Sequence, residues 1–193
     1  CFPGPSFLSS YLCLGLFKNT RLIFPTYFIL YSSGFLCSLL FRPQKSSEFS
    51  YLKKTKKEIS GSDFLGNILD TSIMNGFETI TKLGGYILIF SILQGISSIA
   101  LRSFPTLGYF LQGITEITTG NAALSKASWS FDLLYPLILA FTSFGGLSVA
   151  AQTKSMLADT DLPFSSYLKG KICNFFCTFA IAFCLVKIVK VII

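Results

Sequence analysis

Glu116 stands beside Gly113, Ile114 and Ile117, neighbours that place a carboxyl group at membrane depth. An acidic group there is costly and is retained for function. It can take up a proton, hold a coupling cation or accept a substrate N–H. Offsets of three, four and seven put Gln112, Thr115, Glu116 and Thr119 on one helical face, with Thr118 and Asn121 alongside. A second stripe, Ser148, Gln152, Ser155 and Asp159, follows in the same spacing. Either stripe buried in lipid would leave polar groups without partners, so the two are expected to face a common cavity. The other role open to Glu116 is a neutral, hydrogen-bonded side chain closing a helix–helix contact or reaching interfacial water. For Ser148 and Gln152 the packing and binding roles both stand.

Glycines sharpen the expectation. Gly120 and Gly145-Gly146 permit turns and close backbone approach. A helix starting near Gly146 would present unpaired N–H groups and a positive dipole end, a cradle for a carboxylate or other anion. Broken membrane helices of transporters bind solutes in this way. The residues expected to line a solute path are Glu116, Thr118, Thr119, Asn121, Gly145, Gly146, Ser148 and Gln152.

The surroundings that must position these residues are membrane-like. Of 193 residues 51% are hydrophobic and 13% charged, and the mean hydropathy is +0.62, too apolar for a water-soluble surface. The 21 Phe against one Trp suit lipid-facing helices. Leu22 to Phe41 forms an uncharged span of bilayer length, ended by Arg42-Pro43. Residues 42–62 form a basic, Ser-rich linker. Six of the sixteen Lys/Arg residues fall between Arg42 and Lys57, which predicts a cytoplasmic loop at 42–58, near anionic head groups. Residues 63–193 read as a membrane domain. It begins with an amphipathic helix whose polar stripe is Asn67, Thr71, Asn75, Glu78 and Lys82, with Glu78 and Lys82 spaced to pair. That helix lies at the interface or turns its polar face into a cavity. Gly84-Gly85 is expected to end it before a second span, Leu83 to Leu101. Leu133 to Phe144 crosses part way, and Tyr167 to Ile193 spans with tilt. The chain opens on Cys1 without an initiator Met, and is expected to be a piece of a longer protein with membrane segments upstream.

Composition excludes several functions. The net charge of +7 is a loop signature, so nucleic acid is not an expected partner. There is no His, hence no Ser-His or Cys-His unit, and no phosphate loop or HExxH, so the chain is not expected to be an enzyme. Cys173, Cys177 and Cys184 share a helical face, but without His or a further Cys pair they read as packing residues, not zinc ligands. No metal or cofactor is expected. The expected partners are the bilayer and a small polar or anionic solute, with a coupling proton or cation.

Several of these segments are familiar. Glu116-Ile-Thr-Thr-Gly120, Phe144-Gly-Gly-Leu-Ser-Val-Ala-Ala-Gln152 and Asp159-Thr-Asp161 with Tyr167-Leu-Lys-Gly-Lys171 resemble the C-terminal half of the sporulation integral membrane protein YlbJ family, in the nucleoside-recognition or Gate domain group. Gly4-Pro-Ser-Phe7 and Gly84-Gly-Tyr-Ile-Leu-Ile-Phe90 resemble further family elements. Thr119 stands where the family usually has Asn, and Cys1-Phe2-Pro3 departs from its Cys-Asn start. The resemblance implies an all-α, polytopic membrane protein with discontinuous helices, half of an inverted-repeat, transporter-like fold. It implies a forespore membrane and passage of a small solute, with dipicolinate as cargo. The alternative is a non-transporting scaffold or assembly factor for the spore envelope.

Overall fold

The computed structural model describes residues 3–41, 64–157 and 163–192, the side chains of residues 64, 65 and 192 excepted. A π-helical stretch, Phe7–Leu16, and a short 3-10 turn, Thr20–Leu22, lead into α1 (Ile23–Leu40). Then follow α2 (Phe64–Ala100), α3 (Pro105–Thr115), α4 (Ile117–Leu124), α5 (Phe131–Phe144), α6 (Gly146–Met156) and α7 (Phe164–Ile192). No strand occurs among the described residues. Four stretches are long and apolar enough to cross a membrane: Thr20–Leu40, Gly66–Ala100, Phe131–Met156 and Phe164–Val191. The chain is therefore an all-α polytopic membrane protein. Helix is the form such apolar segments must take, because hydrocarbon offers backbone N–H and C=O groups no partner but one another.

The third stretch is the core and the second is the periphery. Of the most apolar window in Phe131–Met156, 72% is buried within the protein, against 6% in Gly66–Ala100. Helix α5 packs along α7, and α1 packs on α7 from another side. Their shared core contains Ile29, Leu30, Tyr135, Ile138, Leu139, Ala182 and Val186, extended by Leu8 and Leu12 of the π-helical stretch. The α5–α7 pair runs antiparallel and is clasped at both ends. Lys190 Nζ lies 2.6 Å from Asp132 Oδ2 at the start of α5. At the other end Lys171 Nζ donates to the Ser143 carbonyl at 3.0 Å. Inside, the hydroxyls of Thr26 and Tyr135 are hydrogen-bonded at 3.0 Å, tying α1 to α5.

Two breaks fall where the spacing did not put them. Gly84-Gly85 does not end a helix: α2 runs unbroken for 37 residues. A helical glycine costs only about 0.5–1 kcal/mol relative to alanine, too little to open a backbone that has no water to turn to. The amphipathic piece and the apolar span are thus one rod, about 55 Å long at 1.5 Å per residue. Conversely, the face counted over Gln112, Thr115, Glu116 and Thr119 is not continuous, because α3 ends at Thr115 and Glu116 is extended (φ −151°, ψ 132°). Gly120 lies inside α4 instead of at a turn. The basic segment 42–58 and Asp159 lie outside the described residues.

Gly120 serves close approach. A Cβ there would sit 2.4 Å from the Gln112 carbonyl oxygen, where α4 packs on the last turn of α3, whereas a Cβ on Gly85 meets nothing within 4 Å. Gly120→Ala is expected to lower unfolding stability in detergent by about 1–3 kcal/mol. Gly85→Ala should leave it unchanged or raise it by up to about 1 kcal/mol. Thermal melts of both variants check the pair, and equal melting temperatures would refute the packing argument.

Candidate functional site

Two helix breaks meet in the interior. α3 gives way to α4 at Glu116, and α5 gives way to α6 at Gly145-Gly146, which have φ of 91° and 75°. Those left-handed angles are what glycine supplies. A Cβ on Gly146 would lie 3.2 Å from the Thr115 carbonyl oxygen and from Glu116 Cα. The amino end of α6 therefore abuts the carboxyl end of α3. The cradle expected at Gly145-Gly146 faces protein backbone in this conformation, not an open anion site.

Side chains satisfy the broken ends of α3, α4 and α5, while the start of α6 has no side-chain cap. Glu116, only 3% exposed, caps α4. One carboxylate oxygen accepts from Thr118 N (3.0 Å) and Thr118 Oγ1 (2.8 Å), the other from Thr119 N and Thr119 Oγ1 (both 2.8 Å). These are among the N–H groups that a helix start leaves orphaned. Gln94 of α2, 4% exposed, donates through Nε2 to the carbonyls of Gln112 (2.5 Å) and Glu116 (3.2 Å). A flipped amide would set Oε1 against two carbonyl oxygens, so this orientation is the one that satisfies the group. Gln94 Oε1 in turn accepts from Thr119 Oγ1. Tyr11 of the π-helical stretch donates its hydroxyl to the Thr118 carbonyl.

Thr119 is the pivot of this knot. Its hydroxyl has one hydrogen and two acceptors within reach, Gln94 Oε1 and Glu116 Oε2. With Glu116 ionised, one acceptor must go without. With a proton on Glu116 Oε2, the carboxyl donates to Thr119 Oγ1, Thr119 donates to Gln94, and both contacts are made. Thr119 is exposed at the edge of the knot, so the hydroxyl chain reaches the surface.

The remaining predicted residues separate. Asn121 is fully buried and donates to Thr142 Oγ1 at 2.9 Å, a link between α4 and α5; its Oδ1 has no partner. Ser148 is buried and accepts from Gln152 Nε2 at 3.2 Å. Gln152 and Ser155 face a cavity of about 320 Å³ between α6 and α2. Across it stand Asn75, Glu78, Thr79, Lys82 and Tyr86. The polar face of the amphipathic helix thus lines a cavity, one of the two settings open to it, and Glu78 pairs with Lys82 at 2.5 Å as spaced. The two stripes do not share one cavity: the first closes a helix break, and the second opens onto α2.

Gln94, Tyr11 and Lys171 were not singled out by spacing. The signal for Gln94 is visible afterwards: one amide in an otherwise apolar span must bond something. Lys171, only 8% exposed, holds the carbonyl end of α5. The cysteines also group differently. Cys184 is exposed and apart, while Cys37 of α1 comes to Cys173 and Cys177. Trp129 packs edge-on to Tyr109 of α3.

Glu116→Ala should lower stability by about 1–3 kcal/mol, the cost of leaving buried donors unpaired. Glu116→Gln should cost less than Glu116→Ala, because its carbonyl still accepts from Thr118 N and Oγ1 and its amide can donate to Thr119 Oγ1, although the Thr119 N–H loses its acceptor. Gln94→Leu should cost as much as Glu116→Ala, by stripping donors from two carbonyls. Unfolding of the three variants in mixed micelles measures this order. A Gln variant as weak as the Ala variant would contradict the cap.

Comparison with known proteins agrees with the resemblance read from the motifs. Over 203 aligned residues the chain is 23% identical to the sporulation integral membrane protein YlbJ of Bacillus subtilis (strain 168), covering 88% of this chain and 50% of that protein. The chain spans about half the length of the curated relative it matches. No family model and no solved structure matches it significantly.

Proposed function

We propose that this protein is a sporulation-associated, Gate-type membrane transporter unit that passes a small polar or anionic solute along the α2–α6 cavity. The observation that carries the reading is the contact between two helix breaks, Gly146 against Glu116, with a polar cavity between α2 and the later turns of α6. Continuous helices would suffice for a scaffold. Breaks whose ends must be capped by Glu116, Gln94 and Lys171 cost stability, and solute-handling membrane proteins accept that cost to place backbone groups at a site. The similarity to a sporulation integral membrane protein supports the cellular setting. The basic segment 42–58 then faces the cytoplasm.

The cavity lining indicates the solute class. Amides of Asn75 and Gln152, hydroxyls of Thr79, Ser155 and Tyr86, and the Glu78–Lys82 pair surround it. A solute carboxylate would take Lys82 and leave Glu78 to a solute donor or water. Dipicolinate, which has two carboxylates and a ring nitrogen, fits such a lining through Lys82 and the amide donors. Glu116 supplies the coupling proton, since its protonated state completes the Thr119–Gln94 chain and its ionised state does not.

Uptake of labelled dipicolinate into proteoliposomes containing the protein tests this. Wild type should respond to an imposed pH gradient, and Glu116→Gln should take up solute without that response. Lys82→Gln and Gln152→Ala should each raise the half-saturating concentration roughly tenfold, since a hydrogen bond to a charged group contributes about 1.5–3 kcal/mol. Wild-type proteoliposomes no more permeable than empty ones would reject transport in favour of a scaffold role in spore-envelope assembly.

A further inference from the structure

The α1–α7 contact carries a second polar feature, remote in character from the helix breaks. Cys37 lies in the last turn of α1, and Cys173 and Cys177 lie one turn apart on α7. Their three sulfurs are all within 4.8 Å of one another, with 3.8 Å from Cys37 to Cys173 and 4.0 Å from Cys173 to Cys177. Cys37 is buried and the other two are half-buried. Beside them opens a cavity of about 260 Å³, lined by Cys37, Ser38, Tyr167, Lys171 and Asn174 among others. Asn174 Oδ1 is buried without a hydrogen-bond partner. The cysteines are thus converged, shielded and approachable from one side.

We propose that Cys37, Cys173 and Cys177 form a binding site for one soft monovalent metal ion, with Cu(I) as the ion it fits. Metal–sulfur bonds of about 2.3 Å place the sulfurs of a trigonal ion roughly 4 Å apart, which is the spacing already present. The donor set is sulfur alone, the preference of Cu(I). Zn(II) in a structural site wants a fourth protein ligand, and the chain contains no His to supply one. Each thiol that binds gives up its proton to solvent, so uptake weakens as pH falls. Bound there, the ion cross-links α1 to α7, which no covalent bond now joins.

The test is an anaerobic titration of the reduced, detergent-purified protein with Cu(I) against a chromophoric chelator, followed by X-ray absorption at the copper edge. The expected result is one ion per chain, sulfur-only coordination and a raised melting temperature. Cys37→Ser, Cys173→Ser and Cys177→Ser should each weaken binding by at least tenfold, while Cys184→Ser binds as wild type. Should Cys37→Ser fail to fold, Cys177→Ser, at a half-exposed position, gives the same readout. Unchanged binding in Cys173→Ser or Cys177→Ser, Zn(II) displacing an equal amount of Cu(I), or oxygen ligands in the absorption spectrum would each overturn the site. So would a Cys37–Cys173 disulfide whose reduction restores no copper uptake.

Discussion

A backbone that breaks inside a membrane must find partners for the N–H and C=O groups it frees, and the rest of this structure follows from that requirement. Three side chains meet it. Glu116 takes the N–H groups at the start of α4. Gln94 takes carbonyls at the end of α3 and at the break itself. Lys171 takes a carbonyl at the end of α5. They come from the break itself, from α2 and from α7, so two of the long helices help to hold the breaks. The peripheral position of α2 makes the point: it buries little apolar surface, yet its one buried amide joins it to the hinge.

The helix ends are matched in charge as well as in hydrogen bonds. Lys171 stands at the carboxyl end of α5, where the helix dipole is negative, and Glu116 at the amino end of α4, where it is positive. The Gly145-Gly146 turn lets α6 start against the carboxyl end of α3. Opposite dipole ends thus face one another across the break, a neutral arrangement that a low-dielectric interior favours.

Sequence made the class of fold legible, because apolar length is a property of single segments. It placed Gly145 and Gly146 at a turn and anticipated the Glu78–Lys82 pair. What it could not show was where helix gives way. The glycines at 84 and 85 look like breakers and are not, since nothing competes for their backbone bonds. Glu116 looks like a face residue and is the break, because its carboxylate can serve the N–H groups of Thr118 and Thr119 only from outside the helix. Contacts between distant segments were equally hidden. The nearness of Cys37 to Cys173 depends on α1 packing against α7 across 136 residues of chain, and no local spacing encodes it.

The amide of Gln94 has a mechanical meaning. Helix α2 is fastened to the hinge by Gln94, one of whose bonds draws on a hydrogen that the Glu116 carboxylate also draws on. Through that amide the Gln112 and Glu116 carbonyls pin a rod of about 55 Å near its carboxyl end. The wall of the α2–α6 cavity is part of that rod, so the amide that satisfies the helix break also sets where one wall of the groove stands.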